Sequence, residues 1–142
     1  MPEPSLGILL FVAHRELERR VLDGVRAAGF DVTLAQSRVF QRLDEGGSRI
    51  THLAESAGVT KQTAGYLVDQ LEEAGFVERV PDPSDARARL VRVTSRGREA
   101  VAVARPIEAQ VYAEWAAYVG VRDFERLADT LARLRPITDP YA

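Results

Sequence analysis

"RITHLAESAGVTKQTAGYLVDQLEEAGFVERV" occupies residues 49–80 and decides the fold. Thr51 can cap a short helix that ends at Ala57, and Gly58 then supplies the positive φ of a sharp exit. Thr60 can cap a longer helix reaching about Ala74, where Gly75 stops it. Short helix, glycine turn and longer helix together form the helix-turn-helix pattern. The residue sizes agree with it. Ala54 is small where two helices must cross closely, and Ala64, Leu67, Val68 and Leu71 give the second helix an inner face.

Toward the N-terminus, Leu6, Leu9, Leu10, Leu17, Val21 and Val25 fall at helical intervals, which predicts a helix over Ser5–Ala28 ended by Gly29. Thr33 can cap a further helix over Leu34–Leu43, followed by the loop DEGGS. Toward the C-terminus, Phe76–Val80 and Arg89–Thr94 are valine-rich and read as two strands, with PDPSDARA predicted as the loop between them because it holds two prolines. A hairpin hung behind a helix-turn-helix is a wing. Ser95 can cap a long helix running to about Val119, with Pro106 inside it as an expected kink, and a last helix over Asp123–Leu134 is expected to stop before Pro136. The fold class is therefore mainly α with a small β-hairpin: one domain over residues 1–142, with a winged helix-turn-helix at 30–98 and flanking helices at 5–29 and 99–142.

Charge is unevenly placed. Residues 79–98 carry six arginines against Asp82 and Asp85, a local +4 in a chain whose net charge is −2, so −6 falls on the rest. A mildly acidic chain does not coat nucleic acid indiscriminately, but it can present a local basic surface. Cysteine is absent, which removes disulfides and thiolate chemistry. The dense apolar run Ile8–Ala13 is too short for a membrane span, which needs about 20 residues. MPEPS has no pattern of a secretion signal, so the expected compartment is the cytoplasm, with no membrane partner.

Leu53-Ala54, "GVTKQTAGYLVDQLEEAGFVER", "DPSDARA" and "VRVTSRG" closely resemble the winged helix-turn-helix of MarR (multiple antibiotic resistance regulator) transcription regulators. Asp85 and Arg87 match that family's Asp-x-Arg before the second wing strand, and the two helices on either side match as well. The resemblance implies a dimer with interleaved N- and C-terminal helices, bound to a pseudo-palindromic operator. It also implies that in some relatives small aromatic or phenolic molecules bind between the winged region and the dimer helices. The residues point independently to a dimer: Ile8, Leu9, Leu10, Phe11 and Val12 are consecutive, so that helix begins apolar all round, and a partner subunit is the simplest cover.

From a recognition helix lying in the major groove, Lys61, Gln62, Thr63, Gly65 and Tyr66 would face the bases. Gln reads adenine bidentately, Lys reaches guanine or phosphate, and Gly65 permits close approach. From the wing, Arg87 would enter the narrow minor groove, with Arg79, Asp85 and Arg89 completing the DNA-facing set; Arg79, Arg89 and Arg92 can also pair with Asp82 and Asp85. Arg96 and Arg98 fall in the first turn of a helix, where the macrodipole disfavours cations and a nearby phosphate would offset it.

Val111, Trp115 and Tyr118 share one helix face, and Phe11, His14, Tyr112 and Trp115 are candidates to line a cavity for a small aromatic effector, although an aromatic stripe at helical spacing is more often simply core. His14 with Glu18 and His52 with Glu55 lack a second ligand type at metal spacing, so no metal or cofactor is expected. Ser48 and Ser95 read as a loop residue and a cap, and no nucleophile, phosphate loop or acid/base pair suggests an enzyme. Two functions stand: a dimeric, sequence-specific repressor released by a ligand, or a winged helix used for protein interaction or small-molecule binding with weak DNA affinity.

Overall fold

The computed structural model describes residues 2–141. The chain runs α1 (Leu6–Ala27), α2 (Leu34–Phe40), α3 (Ile50–Ala57), α4 (Lys61–Glu73), β1 (Val77–Asp82), β2 (Asp85–Val93), α5 (Ser95–Val119) and α6 (Val121–Thr138). The winged region closes on Val39, Leu53, Leu67, Val68, Leu71, Phe76, Val77 and Val91, all buried. These residues come from α2, α3, α4, the turn after it (Phe76) and the hairpin, so the helix-turn-helix and the wing share one core. Among the described residues no helix is long and apolar enough to cross a membrane.

Caps fix the element boundaries. The Thr60 hydroxyl accepts from the Thr63 amide and starts α4, and Gly58, at φ 72°, ends α3 in the left-handed region that glycine enters without strain. Thr33 forms a full capping box with Gln36 at the start of α2. The buried Gln36 amide also donates to Gln70 Oε1 at 3.0 Å, tying α2 to α4.

Several boundaries differ from those the sequence predicts. Helix α3 begins at Ile50 with Arg49 as its N-cap and no side-chain cap, so Thr51 lies inside the helix. Thr94, not Ser95, caps α5: its hydroxyl accepts from the Gly97 amide and donates to the Gly75 carbonyl, bonding the helix start to the end of α4 as well. Helix α2 stops at Phe40 rather than Leu43, in turns closed by the Val39 and Phe40 carbonyls. The strands are longer than expected and take up most of PDPSDARA, leaving only Pro83 and Ser84 as the loop. Pro81 is tolerated because β1 pairs on one side only and the register shifts between Pro81 and Asp82.

Strand β2 has a second neighbour. Ser48 is buried and pairs with Val91 through Ser48 N–H to Val91 O at 2.9 Å and Val91 N–H to Ser48 O at 2.8 Å, so the DEGGS loop stitches the wing to the entrance of α3. Gly97 is buried where α5 crosses the hairpin; a Cβ there would overlap the Phe76 carbonyl oxygen and Val93. Helix α6 runs through Pro136 to Thr138. A proline this near the end withdraws one backbone donor, and the Thr138 hydroxyl and Asp139 amide satisfy the Leu134 and Arg135 carbonyls just before it.

Outside the winged region the packing thins. Helix α1 lies along α5, burying Leu22, Val25 and Val111. No residue of α6 is fully buried, and the first two turns of α1 expose Leu6, Ile8, Leu9, Leu10, Phe11 and Val12.

Candidate nucleic-acid interface

Lys61, Gln62 and Gly65 of α4 and Arg79, Arg87 and Arg89 of the wing line one cleft of about 810 Å3, together with Arg49 and Thr51 of the α3 entrance. Thr63, Tyr66 and Asp85 lie outside it. All three are exposed, and Tyr66 reaches 63% exposure, a large amphipathic ring left in solvent. The Thr63 hydroxyl accepts from Thr60, which leaves its own proton directed elsewhere. A Cβ at Gly65 would meet nothing within 4 Å, so nothing in the fold requires glycine there. Glycine inside a helix costs about 1 kcal/mol relative to alanine. That cost is accounted for if the missing side chain serves an approaching surface.

The arginines divide into two groups. Arg79 is held by two acids of α4, Asp69 at 2.7 Å and Glu72 at 2.9 Å, so it clips β1 to α4 while still lining the cleft. Arg92 pairs across the hairpin with Glu78 at 2.6 Å. Arg96 lies over the rings of Phe76 and Phe30, at 4.9 and 5.2 Å, and donates to the Ala74 carbonyl. Aromatic faces thus offset its position in the first turn of α5, the role the sequence reading offered to a phosphate. Arg98 donates to the Val93 carbonyl and the Ser95 hydroxyl. Among the described residues, no acid lies within ion-pair distance of the exposed Lys61, Arg87 or Arg89. Of the six arginines in residues 79–98, only the two at the wing tip have guanidiniums with no ion pair, ring or hydrogen bond among the described residues.

Sequence reasoning missed Arg49. Its guanidinium donates to Asp82 Oδ2 through Nε at 2.8 Å and approaches it through Nη2 at 2.7 Å. The other oxygen of Asp82 accepts from the Ser84 amide and hydroxyl, both at 2.8 Å. The Ser84 amide, its hydroxyl and then Arg49 hold the Asp82 carboxyl below its ordinary value. One nearly buried carboxylate thereby closes the two-residue turn and fastens it to the start of α3. Asp85 accepts from the Arg87 amide at 3.0 Å and sits 3.9 Å from Arg49, so its negative charge shapes the turn from which Arg87 projects. A sequence signal for Arg49 existed only in hindsight: it stands 33 residues before its partner.

The effector candidates each have their own neighbours. Phe11 is 56% exposed beneath Arg15. His14 faces Glu18 at 3.4 Å, whereas His52 turns to Asp44 at 3.6 Å rather than to Glu55. Tyr112 is half-buried against Phe124, ring centroids 5.8 Å apart, and burial with a bond to Glu108 pushes its hydroxyl up to about 12. Trp115 is half-buried too, but Tyr118 is 91% exposed and does not share the packed face of Val111. The clefts beside the wing are lined by none of Phe11, His14, Tyr112 and Trp115.

A family model described as MarR family matches residues 30–88. Beyond that segment, the chain is 31% identical over 134 residues to the HTH-type transcriptional repressor MT2955 of Mycobacterium tuberculosis (strain CDC 1551 / Oshkosh), covering 91% of this chain and 94% of that protein. The chain belongs to the MarR family. Its similarity to the transcriptional regulator HosA of Escherichia coli O111:H- is 36% over 78 residues and spans 58% of HosA and 54% of this chain. Among solved structures it is similar to the transcriptional repressor CouR bound to a 23-mer DNA duplex, at 27% identity and a TM-score of 0.71 over 92% of each chain. MarR membership favours a DNA-binding transcriptional regulator over a winged-helix interaction module, and places the mainly helical fold with its hairpin among winged-helix regulators.

Proposed function

We propose that this MarR protein is a cytoplasmic homodimeric repressor that binds a pseudo-palindromic operator, with α4 in the major groove and the wing tip in the adjacent minor groove. The observation that carries the reading is the cleft in which Lys61, Gln62 and Gly65 meet Arg87 and Arg89, cations without an ion-pair partner among the described residues beside a helix position without a side chain. Gln62 and Lys61 supply base-edge hydrogen bonds; Arg87 supplies a guanidinium to a groove of enhanced negative potential. Arg49, Asp82 and Asp85 hold the tip in place, so less ordering remains to be done on binding. The apolar faces of α1 and α6 support a second copy as the partner, which sets two α4 helices about 34 Å apart.

In the same reading a small aromatic effector releases the operator, supported by the half-buried Tyr112–Phe124 pair and Trp115 where α5 and α6 meet. The test is a gel shift with DNA flanking the protein's own gene, with and without salicylate-like compounds, while Trp115 fluorescence is followed. Retarded DNA that the compounds release supports the whole reading. Absence of any shift on flanking DNA argues against operator binding, and a shift insensitive to the panel removes only the effector.

A further inference from the structure

Helix α2 is braced on two sides. Arg38 donates through Nε and Nη2, both at 2.9 Å, to the carboxylate of Glu18 on α1, a group with 7% of its side chain exposed. Four residues on, Arg42 reaches Asp139, which ends α6, at 2.5 Å; Arg135 closes on the same carboxylate at 3.5 Å. Two residues further, the Tyr141 ring meets His52 of α3 edge-on, centroids 6.4 Å apart. On its inner side α2 is joined to α4 by the Gln36–Gln70 hydrogen bond. Of the helices with unpartnered apolar faces, α1 is thus tied by a charged pair to the seven-residue α2 and α6 to the turn that directly follows it, and α2 is tied to α4.

We propose that Arg38 and Arg42 are positioning residues that set the angle of α4 against α1 and α6, and thereby the half-site spacing the protein accepts. The inference rests on the paired reading above and deepens it. Surface ion pairs in general contribute little, but these differ. Glu18 is nearly buried and bidentate, and the Nε of Arg42 is buried with no hydrogen-bond partner, leaving Asp139 as its guanidinium's counter-charge on that side. Arg38 and Arg42 hold the Glu18 and Asp139 carboxyls below their ordinary values, as expected of engaged pairs. Neither arginine lines the cleft described above, so their effect on DNA must pass through the orientation of α4.

The test uses the full chain and a duplex that the wild-type protein selects from a random-sequence library, compared with the same duplex carrying one inserted central base pair. The wild type should prefer the selected spacing by about tenfold or more. Glu18→Gln combined with Asp139→Asn should narrow that preference by about threefold or more, while the protein still sediments as the wild type does. Asp139→Glu, which keeps the charge, should restore most of it. Should the double variant fold poorly, Asp139→Asn alone, at the exposed end of α6, gives the same comparison. A variant that discriminates spacing as the wild type does overturns the proposal and leaves the paired reading standing. A wild type indifferent to spacing overturns both.

Discussion

The winged region and the helical arm solve the problem of apolar surface in opposite ways. In the first, Leu53, Leu71, Phe76 and Val91 are almost wholly enclosed by elements of their own chain. In the second, Leu131 and Leu134 of α6 are each 42% exposed, although their helical spacing is just as regular, and Leu6, Ile8, Leu9 and Phe11 of α1 are more so. Amphipathic periodicity therefore states that a face needs cover without stating which molecule provides it. The charges add to the contrast: Arg79, Arg92 and Arg49 pair with acids of the winged region, while Lys61, Arg87 and Arg89 stand together on the cleft that faces outward.

This contrast can be broken most decisively in α6. Replacing both Leu131 and Leu134 by Asp should give a monomer in sedimentation whose operator affinity drops to the non-specific level, a loss of about 4 kcal/mol or more, with the helical circular dichroism retained. Retention of a dimer would show that the exposed face of α6 has no partner. A change inside the enclosed core should act the other way: Leu53→Ala removes a fully buried side chain and should destabilise folding by about 2–5 kcal/mol, read from chemical denaturation.

The outward charges come next. Arg87→Ala should leave the melting temperature unchanged but weaken operator binding by about 1–3 kcal/mol, with a shallower salt dependence because fewer counterions are released. Equal affinity and equal salt slope would make the wing tip a solvated hairpin. The smallest effect belongs to Asp82. Its folded carboxyl is held below the ordinary 3.8, so its contribution is present above that pH and is lost as pH falls through the lower folded value. The protection of the Ser84 amide, measured against its intrinsic exchange rate, should therefore fall in the wild type as pH drops below about 3.8, and in Asp82→Asn it should already be low at neutral pH. Matching exchange in the two proteins would remove Asp82 as the lock of the turn.

Much of the architecture was legible because its signals are local. Gly58 and Thr60 punctuate the helix-turn-helix, and Leu67, Val68 and Leu71 show the face of α4 that turns inward. Where the reading slipped, a neighbour distant in sequence decided the outcome. Thr94 outcompeted Ser95 as a cap because its hydroxyl also finds the Gly75 carbonyl. PDPSDARA became strand because β1 remains an edge on which Pro81 costs no ladder bond. Arg96, apparently misplaced at a helix start, found two aromatic rings.

By itself the sequence determined the order of the helices, the winged helix-turn-helix and the basic composition of the wing, since caps, glycines and apolar periods act within a few residues of where they stand. Only the tertiary structure decided which arginines remain free. A guanidinium is neutralised by whatever carboxylate, carbonyl or ring the fold brings near it, and Asp69 with Arg79, Arg49 with Asp82 and Phe30 with Arg96 are each brought together across 10 residues or more. Arg87 and Arg89 are left at the tip because the hairpin carries them beyond the reach of any acid among the described residues.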